Sequence, residues 1–155
     1  MSIDNSVTIR RLGNEIGSLE RQNRELAEKN RQLEEEKNKK EKEKKKYEKL
    51  KSQIGKATPS LTSARSNIVS AQSSFKKGYS SQTAQKKNAD FQAISSGIST
   101  INSSLGKMKS EINRKIEKLK REIEEKKTKI EGNRKTIEYN NGLIRSKYAL
   151  IAQLS

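Results

Sequence analysis

Apolar residues recur at alternating steps of three and four along most of the chain, and this spacing places them on one face of a helix. Toward the middle of the chain the stripe consists of Tyr47, Leu50, Ile54, Ala57, Leu61, Ala64, Ile68, Ala71 and Phe75. Beyond the middle it consists of Phe91, Ile94, Ile98, Ile101, Leu105, Met108 and Ile112. A heptad of this kind is the seam that a coiled coil needs. The pattern therefore predicts two long helices that pack along their apolar stripes.

The stretch between the two stripes has almost no apolar side chain that could be buried. Residues 76–83 contain paired lysines, serines, a glycine and polar side chains. Gly78 can adopt the positive φ that commonly follows a helix end, and Thr83 suits the N-cap of the next helix. The sequence therefore predicts a turn near 76–83, where the chain reverses its direction.

The segment Gly55–Ser60 carries the strongest break signal inside the first arm. Pro59 has no amide hydrogen and disfavours a helical conformation at Thr58. Thr58 is therefore the expected N-cap, with Pro59 at the first helical position. The heptad phase is the same before and after this segment, so we expect a kink near Gly55–Pro59 rather than a domain boundary.

These signals together predict an all-α fold, a long antiparallel coiled-coil helical hairpin with a single elongated domain at 1–155. We expect a first stalk helix at 6–54, capped by Asn5 or Ser6, and a first helix of the central hairpin at 58–75. The turn at 76–83 leads into a long return helix at 84–154. A four-residue step from Met108 to Ile112, followed by another, predicts a stutter that relaxes the supercoil.

The two outer arms match when residues whose numbers sum to 163 are paired. The apolar pairs are Leu12–Ile151, Leu19–Ile144, Leu26–Ile137 and Leu33–Ile130. The same register pairs Asn23 with Asn140 and Asn30 with Asn133. Facing asparagines can satisfy each other's amides, which a shifted register would leave buried without partners. We predict that these four asparagines set the register.

Composition narrows the possible functions. The net charge of +16 favours acidic partners, although the alternation of lysine with glutamate also fits a solvated coiled-coil surface. Tyr47 is the one aromatic residue among the lysines of Lys37–Lys51, which does not favour base stacking and nucleic-acid binding. The narrow apolar stripes are already used in helix pairing, which does not favour binding to a membrane surface. No apolar run could span a membrane, and the N-terminus has no signal-peptide core. We expect a cytoplasmic protein, with any export alongside its partner proceeding without a cleaved signal peptide.

The residue types do not favour catalysis. The chain has neither histidine nor cysteine, so we expect no enzyme activity, metal or cofactor. The middle region has more apolar residues than a two-stranded seam needs, and Asp90 is the only acid between Leu61 and Ser104. We therefore expect a protein-binding surface there. The candidate partner-binding residues are Leu61, Ile68, Phe75, Gly78, Tyr79, Phe91, Ile94, Ile98, Ile101 and Leu105.

A helical hairpin rich in Ser, Ala and Gln resembles the WXG-type small proteins of type VII (ESX-type) secretion in Gram-positive bacteria. With arms lengthened by a Lys/Glu coiled coil, it is similar to the accessory proteins encoded beside LXG-domain toxins. The turn positions that carry the resemblance are Phe75, Gly78, Ala84 and Phe91. The chain departs from the pattern because it has no Trp-x-Gly, and neither Tyr139 nor Tyr148 begins a Tyr-x-x-x-Asp/Glu export signal.

This resemblance implies a targeting factor or chaperone that binds the helical N-terminal domain of a secreted toxin by helix-on-helix packing. A second small helical partner is compatible with the same pattern. The residues alone also leave open a structural coiled coil, or a basic coiled coil that binds nucleic acid or another acidic surface.

Overall fold

The computed structural model describes residues 3–78 and 81–155, which form two long helices. Helix α1 spans Ile3–Gly78 and helix α2 spans Ser81–Leu154, with no strand in the described ranges. Contacts divide the chain into a terminal unit, Met1–Lys42 with Lys120–Ser155, and a central unit, Glu43–Leu119. In each unit α1 packs antiparallel against α2. The predicted all-α helical hairpin is therefore confirmed.

The helices extend further at their ends than the sequence predicted. Helix α1 begins at Ile3, so neither Asn5 nor Ser6 is its N-cap. Gly78 is still helical, and no glycine among the described residues has a positive φ. Thr83 is the third residue of α2 and not an N-cap. Lysines in the last turn of α1 interact favourably with the helix dipole, which helps α1 to continue into the predicted turn.

The predicted turn residues Tyr79 and Ser80 lie outside the described residues. The remainder of 76–83 belongs to α1 or α2. The helix predicted at 58–75 therefore ends too early and the return helix predicted at 84–154 begins too late, because 76–78 and 81–83 are helical. Glutamine, alanine and lysine are good helix formers, and they predominate just after this stretch, at residues 84–87 of α2.

Helix α1 continues through Pro59, so the predicted interruption between Ile54 and Thr58 is wrong. Thr58 does not act as an N-cap, because its hydroxyl donates to the Ile54 carbonyl over 3.0 Å inside the helix. Pro59 cannot donate to the Gly55 carbonyl four residues earlier. Packing outweighs this loss, since Ile54 is buried on one side of the proline and Leu61 is half-buried on the other. The kink stays a prediction.

The asparagines of the terminal unit lie in the pairs that a register sum of 163 requires. The Asn140 amide donates to Asn23 Oδ1 over 2.9 Å, and the Asn133 amide donates to Asn30 Oδ1 over 2.8 Å. Asn140 is buried, so its hydrogen bond compensates a real desolvation cost. The idea that these asparagines set the register stays a prediction.

The central unit has contacts that fit the same register. The Gln72 amide donates to Asn88 Oδ1, and the rings of Phe75 and Phe91 meet edge to face with centroids 5.9 Å apart. These numbers sum to 160 and 166, on either side of 163, as expected for residues in adjacent layers of an antiparallel seam. Below them Ile54, Ile112 and Ile116 form a buried cluster, against which other apolar side chains pack.

Candidate helix-docking site

Most of the predicted partner-binding residues face the other helix of the hairpin. Six of them are half-buried in the seam of the central unit: Leu61, Ile68, Phe75, Phe91, Ile98 and Leu105. Gly78 is exposed at the end of α1, and Tyr79 lies outside the described residues. The side chains in the seam already have packing partners within this chain. They can support a docking surface, but they offer little area of their own to a second protein.

Ile94 and Ile101 lie outside the seam, contrary to the heptad assigned from the sequence. Their side chains are 48% and 49% exposed, and Met108 is 46% exposed. The seam positions are instead occupied by Ser95 and Asn102, which are half-buried. The three apolar residues are spaced by seven, so they form one row along α2, immediately beside the seam.

The phase of α2 explains why this row is left out. Ile112, Ile116 and Leu119 of the same unit are each about 95% buried, with 5% of their surface exposed. Continuing their heptad backward without interruption places Leu105, Asn102, Ile98 and Ser95 against α1. Rotating α2 to bury Ile94 and Ile101 would break this continuity. The predicted stutter at Met108 is therefore wrong, because Met108 does not belong to the seam.

Asn102 destabilises the seam in which it lies. Its Oδ1 is buried and has no hydrogen-bond partner among the described residues. In the register of 163 it faces Leu61, which offers no side-chain donor. A buried acceptor left unpaired costs about 1–3 kcal/mol. The central unit therefore keeps a polar residue in its seam while apolar side chains remain outside it.

A matching row lies on α1. Its members recur every seven residues and range from half-buried to exposed: Leu50, Ala57, Ala64 and Ala71. Ala71 immediately precedes the seam residue Gln72, as Ile94 immediately precedes Ser95 on α2. Ala57 and Ala64 are half-buried, so they border the seam directly. In an antiparallel pair, rows with the same offset from the seam lie on the same side of it. We call the surface formed by these two rows, from Leu50 to Ala71 and from Ile94 to Met108, the apolar edge.

The two sides of the seam differ in character. The opposite side, which we call the polar edge, carries small or polar residues at the equivalent positions: Gly55, Thr62, Val69, Gln92, Ser99 and Gly106. Val69 is its one large apolar member among these and is 50% exposed. Ala57, Ala64 and Ala71 face Met108, Ile101 and Ile94 at sums of 165, close to the register sum. The apolar edge therefore combines small side chains on α1 with large ones on α2.

Charge is concentrated in the central unit. It has 16 basic and five acidic residues, a formal net charge of +11. The terminal unit has 19 basic and 14 acidic residues, a net charge of +5. Asp90, the single acid between Leu61 and Ser104, lies 3.7 Å from Lys87 in an exposed ion pair. The central unit thus presents a positive field to any partner.

Ion pairs between the helices stabilise the terminal unit. Lys147 donates to Glu15 and Lys126 donates to Glu36, and each hydrogen bond holds the pKa of the carboxyl below its ordinary value of 4.5. A carboxyl whose pKa is lower in the folded state stabilises the fold above its unfolded pKa, and this contribution disappears as the pH falls through the folded pKa. Both glutamates are substantially exposed, so each contribution is small.

The described part of the chain offers little else that resembles a ligand site. Within it, no three acidic side chains come together in a way that could hold a metal ion. Along its two helices, no stretch is both long and apolar enough to cross a bilayer. Comparison of the chain with protein-family models, with curated proteins and with solved structures finds no match in any of the three. The apolar edge is therefore the feature from which a function can be argued.

Proposed function

We propose that this protein is a non-catalytic helical partner of a type VII secretion substrate such as an LXG-domain toxin. It would act as a targeting factor or chaperone and bind the helical N-terminal domain of that substrate by helix-on-helix packing. The resemblance at Phe75, Gly78, Ala84 and Phe91 points to this family of partners. The contact would lie in the central unit, within Leu61–Leu105.

One observation carries this proposal. Ile94 and Ile101 stand on one face of α2, about half exposed, while the seam beside them contains serine and asparagine. Isolated exposed apolar residues are ordinary on protein surfaces, but a row at heptad spacing is the pattern of a helix that has a further helical neighbour. A docked helix would remove this apolar surface from water, and that burial would favour the complex.

The two units have features that fit different roles. In the terminal unit, asparagine pairs and ion pairs such as Lys40–Glu122, at 2.5 Å, connect α1 to α2. In the central unit, the seam contains an unpaired amide oxygen and the apolar edge is left uncovered. The terminal unit would hold the helices in register, and the central unit would bind the substrate.

The test is a co-elution experiment with the full chain. We would mix it with the helical N-terminal domain of the protein encoded next to it and separate the mixture on a sizing column. A complex that persists at about 0.5 M salt is expected, because apolar packing is not screened by ions. The absence of any complex would overturn the proposal.

Variants separate this proposal from a purely electrostatic function. Replacing Phe75 and Phe91 by alanine removes the edge-to-face contact that supports the central unit, and should weaken the complex. Replacing lysines within Lys37–Lys51 by glutamine should change it little. If instead the lysine changes and salt abolish binding while the phenylalanine changes do not, the protein is a basic coiled coil for acidic ligands, including nucleic acid.

A further inference from the structure

We propose that the apolar edge binds one amphipathic helix that carries apolar residues at heptad spacing and carboxylates one heptad beyond each end of them. This inference rests on the proposed function in that it names the face and the partner chemistry of the same docking event. It differs in that it can hold for a helical partner of any origin. Binding of such a helix would convert the hairpin of the central unit into a bundle of at least three helices.

The row on α2 has a defined beginning and end. Lys87, Ile94, Ile101, Met108 and Lys115 follow one another at intervals of seven. Three apolar side chains are thus framed by a lysine on each side, all on the same face of one helix. Lys87 also lies 3.7 Å from Asp90, but both side chains are exposed, and an exposed pair of this kind is weak enough for a partner's carboxylate to compete with it. The two lysines are 28 residues apart, which is about 42 Å along a helix. A helix that lies along the whole row must therefore be about as long, with its carboxylates near the two ends.

The row on α1 gives the edge its shape. Ala57, Ala64 and Ala71 are small, whereas Ile94, Ile101 and Met108 opposite them are large. Small side chains let a third helix approach closely, while the larger side chains flank it. Here α2 has two apolar positions in each heptad, but only one of them lies in the seam, so the other is left to face a further helix.

Charge selects among the possible occupants. A second copy of this chain would bring another +16 onto the surface, with +11 in the central unit alone, so self-association through this edge is opposed by repulsion. Phosphate backbones need rows of cations, but between Lys87 and Lys115 the row on α2 is uncharged. The outer rim beside the middle of the edge is small and neutral at Ser60, Asn67 and Ser104, whereas on α2 it carries Asp90 and Glu111 near the two ends, within a central unit whose net charge remains +11. This surface fits a helix that is apolar in the middle and acidic at its ends.

The test uses two synthetic helical peptides of about 35 residues, long enough to span the row. Both carry leucine at heptad spacing in the middle, and they differ only in having glutamates or lysines at the two ends. We would measure their affinity for the full chain by calorimetry. The glutamate-ended peptide should bind more tightly, and Lys87→Glu with Lys115→Glu should reduce this preference more than the same double change at Lys76 and Lys107, away from the row. Equal affinity of the two peptides, or no binding of either, would overturn the proposal.

A matched pair of variants tests the face itself. Ile94→Gln, Ile101→Gln and Met108→Gln should each weaken the glutamate-ended peptide roughly tenfold, because each removes half-buried apolar surface that the peptide would cover. Val69→Gln is the control, since Val69 is equally exposed but lies on the polar edge. All these positions are on the outside of the hairpin, and circular dichroism should show unchanged helicity. A loss of affinity in Val69→Gln equal to that in the others would refute the assignment of the face.

The same variants separate this inference from the proposed function. If the toxin domain binds but tolerates the three glutamine changes, the apolar edge is not the docking face and only this inference fails. If the glutamate-ended peptide binds with the expected sensitivity but the toxin domain does not bind, the edge is a helix-docking site and the proposed secretion partner is wrong.

Discussion

Replacing Asn102 by leucine should stabilise this protein. Polar residues in a coiled-coil seam often specify the register, but Asn102 has no partner with which to do so. The Asn102 Oδ1 is buried without a hydrogen-bond partner in the described residues, and the side chain faces Leu61 in the register. Leucine removes the unpaired acceptor and adds apolar contact. Leaving a buried acceptor unpaired costs about 1–3 kcal/mol, so the free energy of unfolding should rise by a similar amount.

The same substitution at Asn140 should have the opposite sign. Asn140 is 4% exposed and donates to Asn23 Oδ1 over 2.9 Å. Asn140→Leu removes that donor and leaves the oxygen of Asn23 facing an apolar side chain, so it should destabilise the terminal unit by about 1–3 kcal/mol. Adding Asn23→Leu should restore much of the loss, because replacing both partners by apolar groups is far less costly than replacing one.

Thermal unfolding followed by circular dichroism measures these effects. For a chain of this size, 1 kcal/mol corresponds to a change in Tm of about 2–4 °C. Amide hydrogen exchange would show whether the change lies in the central unit for Asn102 or in the terminal unit for Asn140. A lower Tm for Asn102→Leu would refute the reasoning, as would a gain of equal size for both single substitutions, since leucine content alone would then explain the result.

Three further predictions concern the rest of the hairpin. Below a pH of 4.5 the terminal unit should lose stability as the carboxyls of lowered pKa become protonated. Glu15→Gln with Glu36→Gln should therefore flatten the dependence of Tm on pH between about 3 and 6, and an unchanged slope would contradict this. Pro59→Ala should raise the free energy of unfolding by up to about 3 kcal/mol, because the helix already runs through this position; a lower Tm in a melting curve would mean that the proline geometry is needed. Cysteines in place of Leu19 and Ile144 should form a disulfide within one chain, detected by mobility on a denaturing gel, whereas crosslinked dimers would argue against the antiparallel register.

The fold and its register could be predicted because both depend on features repeated over long stretches. A shift of one heptad would separate Asn23 from Asn140 and Asn30 from Asn133 at the same time. The structure has both pairs at hydrogen-bonding distance. Long apolar periodicity likewise leaves few alternatives to a helical hairpin when the chain reverses once.

The helix ends and the effect of Pro59 could not be predicted, because local capping preferences compete there with packing between the two helices. Thr58 before Pro59 is a typical N-cap sequence, and Gly78 is a typical C-cap residue. Both signals describe what an isolated segment prefers. Burial of Ile54 before the proline and partial burial of Leu61 after it keep α1 helical through Pro59, and lysines in the last turn of α1 favour its extension to Gly78.

The seam of the central unit was assigned incorrectly because two heptads fit the same residues. Ile98 and Leu105 belong to both. One heptad adds Ile94 and Ile101, which are more hydrophobic, and the other adds Ser95 and Asn102. Hydrophobicity alone favours the first, but only the second continues the phase of the residues that follow, from Ile112 onward. Extending that phase backward would have identified the correct seam from the sequence.

The ambiguity has a physical meaning beyond the error it caused. A helix that packs against a single neighbour places two apolar rows in the seam, but α2 places only the row of Ile98 and Leu105 there and leaves its second apolar row exposed. Ile98 and Leu105 sit between Ser95 and Asn102 on one side and Ile94 and Ile101 on the other, so α2 can contact α1 with one side of its apolar face and a further helix with the other. Continuity with the buried heptad from Ile112 onward keeps α2 from rotating to bury Ile94 and Ile101 against α1. Binding of a helix to the apolar edge would then bury the row that the hairpin itself cannot use.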